Sequence, residues 1–325
     1  SPMTREMLER ALRSEQAKRN QQRARRGAMT PVERRRDDAR ELVNAKDITD
    51  DKHFIHSVLA LCALPYRRPA DNVRVYEREF GRSSLRIESG ALLDPNTGRF
   101  VEQGLPFGPK PRLLMVHLNT MAIRNNSPEI EIDDSMSAFA KALGFAVTGG
   151  KNGTIKPFKE QLHRLAASRM QFGMWNPDTG RAKTINTQPI ESFDLWLPNN
   201  DDQRSLWSST IRLDDRFFET LKRHALPVDI RILRAFGQSA RQMDMVMWLG
   251  YRFKSIDRPL TIGWGKLQEQ FGTNIHDPYK FHQTFKDDWK KILDVFEKLP
   301  ARLGEDGLTI QPADPELLLL PRKRR

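Results

Sequence analysis

The chain has 325 residues, of which 54 are Lys or Arg and 42 are Asp or Glu, so its formal net charge is +12. This charge points to a polyanionic partner, either nucleic acid or an anionic membrane surface. The single cysteine, Cys62, excludes an intrachain disulfide and a cysteine-rich zinc site. Its apolar runs are far shorter than the ~20 residues that a membrane-spanning helix needs. We therefore expect a cytoplasmic protein of about two domains that does not insert into a membrane.

The N-terminal segment, residues 1–45, is rich in arginine, glutamate and glutamine and poor in large apolar side chains. Such a segment buries too little apolar surface to offset the entropy lost on ordering. The composition therefore predicts a flexible, disordered basic arm at 1–45. A smaller basic tail is predicted at 316–325.

The next stretch is predicted to mix helices and strands. Residues 54–63 have a helical pattern that ends at Pro65, and residues 84–88 alternate as a strand does. The sequence Asp94-Pro-Asn-Thr-Gly98 predicts a turn between two strands. Residues 113–123 then predict a helix.

A first helix-turn-helix is predicted by the following residues. A short helix over 136–143 ends at Gly144, and a glycine-rich connector over 148–153 leads to an amphipathic helix over 154–170. A hairpin over 172–197 follows. Short helix, connector, second helix and hairpin are the order of a helix-turn-helix with a wing.

The same order recurs about 120 residues later. A long helix over 228–253 and a strand over 260–262 precede a short helix over 264–271. Asp277 then caps a helix that has Pro278 at its first position and runs to about residue 299, and a last strand covers 308–310. The predicted fold is therefore α+β and mainly helical, with two tandem winged-helix domains at 46–203 and 204–315.

The exposed faces of the two second helices are the candidate DNA-binding surfaces. Arg and Gln pair with base edges in the major groove, while Lys, Ser and His take phosphates. An ordinary solvated helix face is the alternative, and the basic hairpin tip equally fits a role in solubility. The candidate residues are Lys156, Lys159, Gln161, His163, Arg164 and Ser168 on the first helix, Arg181 and Lys183 on the hairpin, and Lys280, Gln283, Lys286 and Lys290 on the second helix.

Catalytic motifs are not complete in this sequence. The segment 148–154 lacks the first glycine and the Ser or Thr of a phosphate-binding loop. His53 and His56 alone do not make a zinc site. The acidic residues of 129–134 fit an alternating strand with one solvent-exposed face better than they fit a metal site. We expect no enzymatic activity, no cofactor and no metal.

Several motifs resemble the plasmid-encoded RepA family of replication initiators. They include Gly104-Leu-Pro-Phe-Gly-Pro-Lys-Pro-Arg-Leu-Leu, Leu162-His-Arg-Leu-Ala-Ala and Ser192-Phe-Asp-Leu-Trp-Leu-Pro, and the resemblance extends from about Leu64 to Phe296. It implies tandem winged-helix domains that bind repeated sites, often iterons, in double-stranded DNA at a plasmid origin. It further implies help in melting the duplex, contacts with the host initiator and replicative helicase, and repression of the protein's own promoter as a homodimer.

Two functional hypotheses follow. The first is a replication initiator that binds origin repeats without catalysis. The second is a dimeric winged-helix transcriptional repressor that uses one recognition helix per chain. Two competent recognition helices in one chain favour the first hypothesis, because one chain could then span successive major grooves.

Overall fold

The computed structural model describes residues 5–44, 52–145, 147–148, 156–193, 210–296 and 298–313. The predicted tail at 316–325 and most of the predicted connector at 148–153 lie outside these residues. The fold is α+β, and one hydrophobic cluster extends through it from Ile55 to Ile310. The helices are α1 (Arg5–Ala28), α2 (Pro31–Asn44), α3 (Ser57–Cys62), α4 (Pro109–Asn125), α5 (Asp133–Ala142), α6 (Lys156–Ala167), α7 (Asp215–His224), α8 (Ile230–Phe236), α9 (Ala240–Ser255), α10 (Trp264–Phe271) and α11 (Pro278–Leu293). The strands are β1 (Lys52–His56), β2 (Val75–Phe80), β3 (Ser83–Glu88), β4 (Ala91–Asp94), β5 (Arg99–Glu102), β6 (Glu129–Glu131), β7 (Arg169–Asn176), β8 (Arg181–Thr187), β9 (Ile190–Phe193), β10 (Thr210–Leu213), β11 (Ala225–Asp229), β12 (Leu260–Gly263), β13 (Ala301–Gly304) and β14 (Gly307–Ile310).

The N-terminal segment is helical over 5–28 and 31–44, so the disordered arm predicted there is not confirmed for these residues. Thr30 and Glu33 form a capping box at the start of α2, in which the Thr30 amide donates to the Glu33 carboxylate at 2.8 Å. Asp38 of α2 accepts from Arg26 of α1 at 2.6 Å and from Arg234 of α8 at 3.2 Å. The composition argument considered apolar burial alone and omitted this cap and these ion pairs.

The first unit is built around α4, in which every residue from Pro111 to Thr120 is buried. The four-stranded sheet β2-β3-β7-β8 and the three-stranded sheet β6-β10-β9 are both antiparallel. Strand β11 pairs with β1 in antiparallel register, with Lys52 opposite Asp229 and His56 opposite Ala225. Strands between 210 and 229 therefore pair with earlier strands of the first unit, across the boundary predicted between 203 and 204.

Two predicted helices differ in the structure. Residues 52–56 form β1 and only 57–62 are helical, because the His56 ring accepts from the Val58 amide and caps α3. The long helix predicted at 228–253 is divided into α8 and α9 around Gly237. Glycine is a weak helix former, and Ser239 caps the new helix by accepting from the Gln242 amide at 3.4 Å.

The two units share one order of elements. Apart from β7 and β8, which the chain inserts between α6 and β9, the first runs β6, α5, α6, β9, β10 and the second runs β12, α10, α11, β13, β14. In each three-stranded sheet the first strand lies beside the third, as β6-β10-β9 and as β12-β14-β13. The predicted hairpin at 172–197 does not close the first sheet. Its described part, β7–β8, pairs with β3 in the four-stranded sheet instead, and residues 194–197 lie outside the described part.

A buried ion pair joins the two units. Arg112 of α4 binds both carboxylate oxygens of Asp244 of α9 at 2.7 Å. The same guanidinium donates to the carbonyl oxygens of Leu64 and Gly108, each at 2.6 Å. Arg78 of β2 makes a second junction by donating to the last carbonyls of α10. The relative position of the units is therefore fixed by directional bonds as well as by apolar packing.

We predict that Arg112→Met lowers the free energy of unfolding by about 3–5 kcal/mol, because it leaves the Asp244 carboxylate buried without a counter-charge. Urea denaturation measures the effect. The exposed pair between Arg74 and Glu102, at 2.9 Å, is the matched control, and Arg74→Ala should cost less than about 1 kcal/mol. Equal small losses in both variants would contradict the role given to Arg112.

Candidate nucleic-acid interface

The part of the polar face of α6 that carries Gln161 and Arg164, predicted to read bases, is buried, whereas Lys156 and Glu160 near the start of the helix are exposed. The Gln161 side-chain oxygen accepts from the Phe107 amide at 2.9 Å. Arg164 is 8% exposed, donates to the Leu105 carbonyl at 3.1 Å and lies 5.1 Å from the centre of the Phe107 ring. These two side chains hold the segment 105–107 against the helix.

The part of this face near His163 and Ser168 is covered as well. Ser168 is fully buried and donates to the Arg164 carbonyl at 2.6 Å. His163 lines a cavity together with Leu92, Leu93 and Val101 of the β4–β5 hairpin, and burial lowers its pKa. The prediction that Gln161, Arg164 and Ser168 contact DNA is therefore wrong in this structure. Of the predicted residues on α6, Lys156 is exposed and Lys159 is half-buried, both near the start of the helix.

Helix α11 has the predicted cap and the predicted two faces. The Asp277 carboxylate accepts from the Tyr279 amide at 2.9 Å, and Pro278 is the first helical residue. Phe281, Phe285 and Ile292 are fully buried on one face. The opposite face carries the polar side chains, all exposed, which we name the α11 stripe: Lys280, Gln283, Lys286 and Lys290.

The α11 stripe keeps its positive charge. None of its three lysines forms an ion pair with a residue in the described ranges, although Lys286 lies 5.9 Å from the centre of the Trp264 ring. Asp288 is turned inward, where it accepts from Gln242 at 2.7 Å and from Arg241 at 2.5 Å. Asp287 is the exposed carboxylate beside the stripe. The face therefore has the charge and the donors that phosphates and base edges require.

Exposed aromatic residues were missed by the sequence analysis. Tyr279 is 72% exposed at the first turn of α11, one turn before Gln283. Helical spacing alone, with Pro278 as the first residue, would have placed it on that side of the helix. Trp175 is 56% exposed near the turn of the β7–β8 hairpin and lies opposite Ala182, so it is on the other face of the sheet from the predicted and exposed Arg181 and Lys183.

The hairpin of the second unit differs from a basic wing. The turn between β13 and β14 carries Glu305 and Asp306, both exposed. The indole nitrogen of Trp264 donates to the Glu305 carbonyl at 2.8 Å and fixes this turn against α10. Two carboxylates at the tip disfavour contact with phosphates, so this hairpin is not part of the cationic surface.

In the described part of the chain, no group of three or more His, Cys, Asp or Glu side chains is arranged to hold a metal ion. His53 and His56, the pair noted in the sequence, are both buried. No helix among the described residues has the length and the apolar content to cross a bilayer.

The described residues thus form an α+β protein with two units of similar order and, on α11, a cationic helix face whose lysines form no ion pair within the described ranges. Residues 105–266, about half of the chain, match the family model described as plasmid-encoded RepA protein. Over this segment the chain belongs to the RepA family of plasmid replication initiators, which confirms the resemblance found in its motifs.

Comparison with solved structures gives weaker likenesses. A crystal structure of RctB domains 2-3 aligns with a TM-score of 0.49 at 10% identity, covering 81% of this chain and 100% of that one. Selenomethionine derivatives of domains 2 and 3 of RctB align with a TM-score of 0.45 at 10% identity, covering 80% and 99%. No likeness at this level carries a conclusion about function. No curated protein matches the sequence.

We predict that Arg164→Ala lowers stability instead of DNA affinity. The variant leaves the buried Leu105 carbonyl without its donor, which costs about 1–3 kcal/mol in the free energy of unfolding. Lys156→Ala, on the exposed start of the same helix, is the control and should leave stability within about 0.5 kcal/mol. Urea denaturation and DNA binding of the folded fraction measure the two effects. Full stability with lost sequence preference would return Arg164 to the interface.

Proposed function

We propose that the protein is a replication initiator that acts by sequence-specific binding to double-stranded DNA and not by catalysis. The observation that carries this proposal is the α11 stripe, a row of exposed cationic and amide side chains whose lysines form no ion pair with the described residues, although Asp287 lies beside them. Membership of the RepA family supports an action at a plasmid origin.

We infer that the second unit is a winged-helix domain. Its order α9, β12, α10, α11, β13, β14, with β12 beside β14, fits that fold. In such domains the second helix of the helix-turn-helix enters the major groove with its N-terminal residues at the base edges. This geometry would bring Tyr279 and Lys280 to the DNA first, Gln283 to a base edge, and Lys286 and Lys290 to phosphates.

The first unit then serves as a scaffold. Its three-stranded sheet has the same strand order, which supports a related origin for its architecture. Its corresponding helix, α6, is covered by the segment 105–107 and by the β4–β5 hairpin. We propose that it holds the reading helix of the second unit in place and does not read bases itself.

Helix α1 supplies further phosphate contacts in this proposal. Its side chains from Arg10 to Arg25 are all exposed, and the basic ones outnumber the acidic ones. Arginines spaced along one helix attract DNA without reading its sequence, so they add affinity that falls with salt. The expectation that the N-terminal segment strengthens binding is therefore kept, with a helix in place of a flexible arm.

The partners at the origin follow from the family alone. We propose that the DNA targets are repeats at a plasmid origin in the bacterial cytoplasm. We further propose that the bound protein recruits the host initiator and the replicative helicase there. Family membership supports both statements.

A dimeric repressor is the second candidate, and one observation favours it. Because the face of α6 is buried, α11 is the one reading helix that the described residues offer per chain. Two chains on a palindrome would then supply the two helices that one chain was expected to supply.

We predict that Gln283→Ala weakens binding to the specific site by about 1–3 kcal/mol and leaves binding to random DNA nearly unchanged. Lys290→Ala should weaken both about equally, because a phosphate contact carries no sequence information. The site is first located by footprinting on the encoding plasmid, and affinities are measured by fluorescence anisotropy. Lys266→Ala on α10, which removes a lysine paired with Glu269 at 2.9 Å, is the control. Unchanged affinity in both α11 variants would exclude this helix as the reader.

Stoichiometry separates the two candidates. We expect the footprint to show repeats at an origin, each bound through α11 of one chain. Native mass spectrometry of the protein on a single repeat measures the ratio of chains to DNA. Two chains on one promoter palindrome, with no repeats, would favour the repressor.

A further inference from the structure

Helix α10 ends against the first unit, in a contact that satisfies carbonyl oxygens at its C-terminus. The last four carbonyls of an α-helix have no partner within the helix. In α10 the Gln268 carbonyl accepts from the Gly272 amide at 2.7 Å. The next two carbonyls, of Glu269 and Gln270, accept from the Arg78 side chain of β2 at 2.6 and 2.7 Å. A cation of the first unit therefore caps a helix of the second.

The turn after α10 connects that helix end rigidly to α11. The Gln268 side chain donates to the Ile275 carbonyl at 2.9 Å, and the Ile275 amide donates to the Gly272 carbonyl at 2.8 Å. A Cβ atom on Gly272 would lie 3.1 Å from the Cδ2 atom of Phe281, so the turn packs closely on the first turn of α11. Because these contacts leave the turn little freedom, a shift of the α10 end would move the exposed start of α11 with it.

Arg78 reaches α10 because of its place on β2. Exposed and half-buried residues alternate along this strand, and Tyr76, Arg78 and Phe80 share the half-buried face. The Arg252 guanidinium of α9 lies 4.7 Å from the centre of the Phe80 ring and 5.4 Å from that of Trp248. Strand β2 is paired with β3 along its whole length. The donor therefore lies on a strand that is fixed in the first unit and packed against the second.

We propose that Arg78 is a positioning residue for DNA recognition, which sets the angle at which α11 enters the major groove by holding the end of α10. The proposal rests on the proposed function, since it supposes that α11 reads the duplex. Hydrogen bonds to base edges need an aligned donor and acceptor, so a small rotation of α11 would weaken them. Phosphate contacts tolerate such a rotation, because a lysine is a point charge on a flexible stem. Loss of Arg78 is therefore expected to reduce sequence discrimination more than general affinity.

A purely stabilising role for Arg78 is the alternative, and the two roles differ in their effect on sequence preference. Unfolding removes the same fraction of molecules from binding to every DNA, so the ratio of specific to random affinity stays constant. A displaced reading helix changes that ratio in the molecules that remain folded. The ratio of the two affinities therefore separates positioning from stabilisation, even where the variant is less stable than the parent protein.

The test measures the affinities of the full chain for its specific site, located by footprinting, and for a random duplex of the same length, both by fluorescence anisotropy. Arg78→Ala should weaken specific binding roughly fivefold to 100-fold, as loss of one base contact does, and leave random binding nearly unchanged. Both carbonyls accept from the same nitrogen of Arg78, so the ammonium of Arg78→Lys can replace it and should restore most of the preference.

Arg74→Ala is the matched control. Arg74 directly precedes β2, carries the same charge and pairs with Glu102 on the surface at 2.9 Å. Its removal should keep the ratio of the parent protein. An equal fall of the ratio in Arg74→Ala and Arg78→Ala would reduce the effect to lost charge and overturn the inference.

A double variant shows whether Arg78 acts through α11. Gln283→Ala removes the proposed base contact, so adding Arg78→Ala to it should lower the ratio by less than the product of the two single effects. A full product, or an unchanged ratio in Arg78→Ala beside a reduced one in Gln283→Ala, would overturn this inference and leave the proposed function standing. A reduced ratio in Arg78→Ala, with the parent affinity kept in both Gln283→Ala and Lys290→Ala, would refute α11 as the reader and with it the route proposed for Arg78.

Discussion

The buried contact between Arg112 and Asp244 connects the two halves of this protein. Burial opposes the charge of both groups and raises the pKa of the Asp244 carboxyl, whereas the facing carboxylate raises the pKa of the Arg112 guanidinium. Asp244 lies on α9, and the neighbouring residues Arg241 and Gln242 bind Asp288 on α11. A line of directional bonds therefore leads from α4 in the first unit, through α9, to the helix that carries the cationic stripe. Isolated buried charges cost several kcal/mol, so neither unit can shift without breaking this line.

Helices α6 and α11 have similar polar faces in sequence, but the fold buries much of one and exposes the other. Both are amphipathic, and both follow a short helix. On α6, Gln161 and Arg164 are bonded to backbone groups of the segment 105–107, so their polarity is used within the fold. On α11 the stripe meets only solvent, while the carboxylate of Asp288 is turned inward. A polar side chain that is buried and satisfied stabilises the protein, and one that is exposed without a partner is available to a ligand.

The cationic groups of the described residues are distributed over three surfaces with different geometry. Helix α1 is a long basic rod, the α11 stripe is a short face on a packed domain, and the β7–β8 hairpin carries two cations on one face and an indole on the other. Helix α2 ties the first of these to the rest of the chain, since Asp38 bridges Arg26 and Arg234 and the Arg35 guanidinium lies 5.5 Å from the centre of the Phe145 ring.

The sequence by itself determined the local elements and the family. The cap at Asp277, the proline at 278 and the stop at Gly144 act within one turn of chain, so helices α5 and α11 were located from residues alone. The motifs between Gly104 and Phe193 were enough to identify the RepA resemblance. Tertiary structure decided which polar faces meet solvent, which strands pair and where the units divide. These depend on segments far apart in the chain. Residues 105–107 cover part of α6. The β7–β8 hairpin pairs with β3 and not with the first three-stranded sheet, and β11 pairs with β1. Helical periodicity indicates only that the two faces of a helix differ in polarity. Whether the polar face is exposed to solvent depends on which distant segments of the chain pack against it.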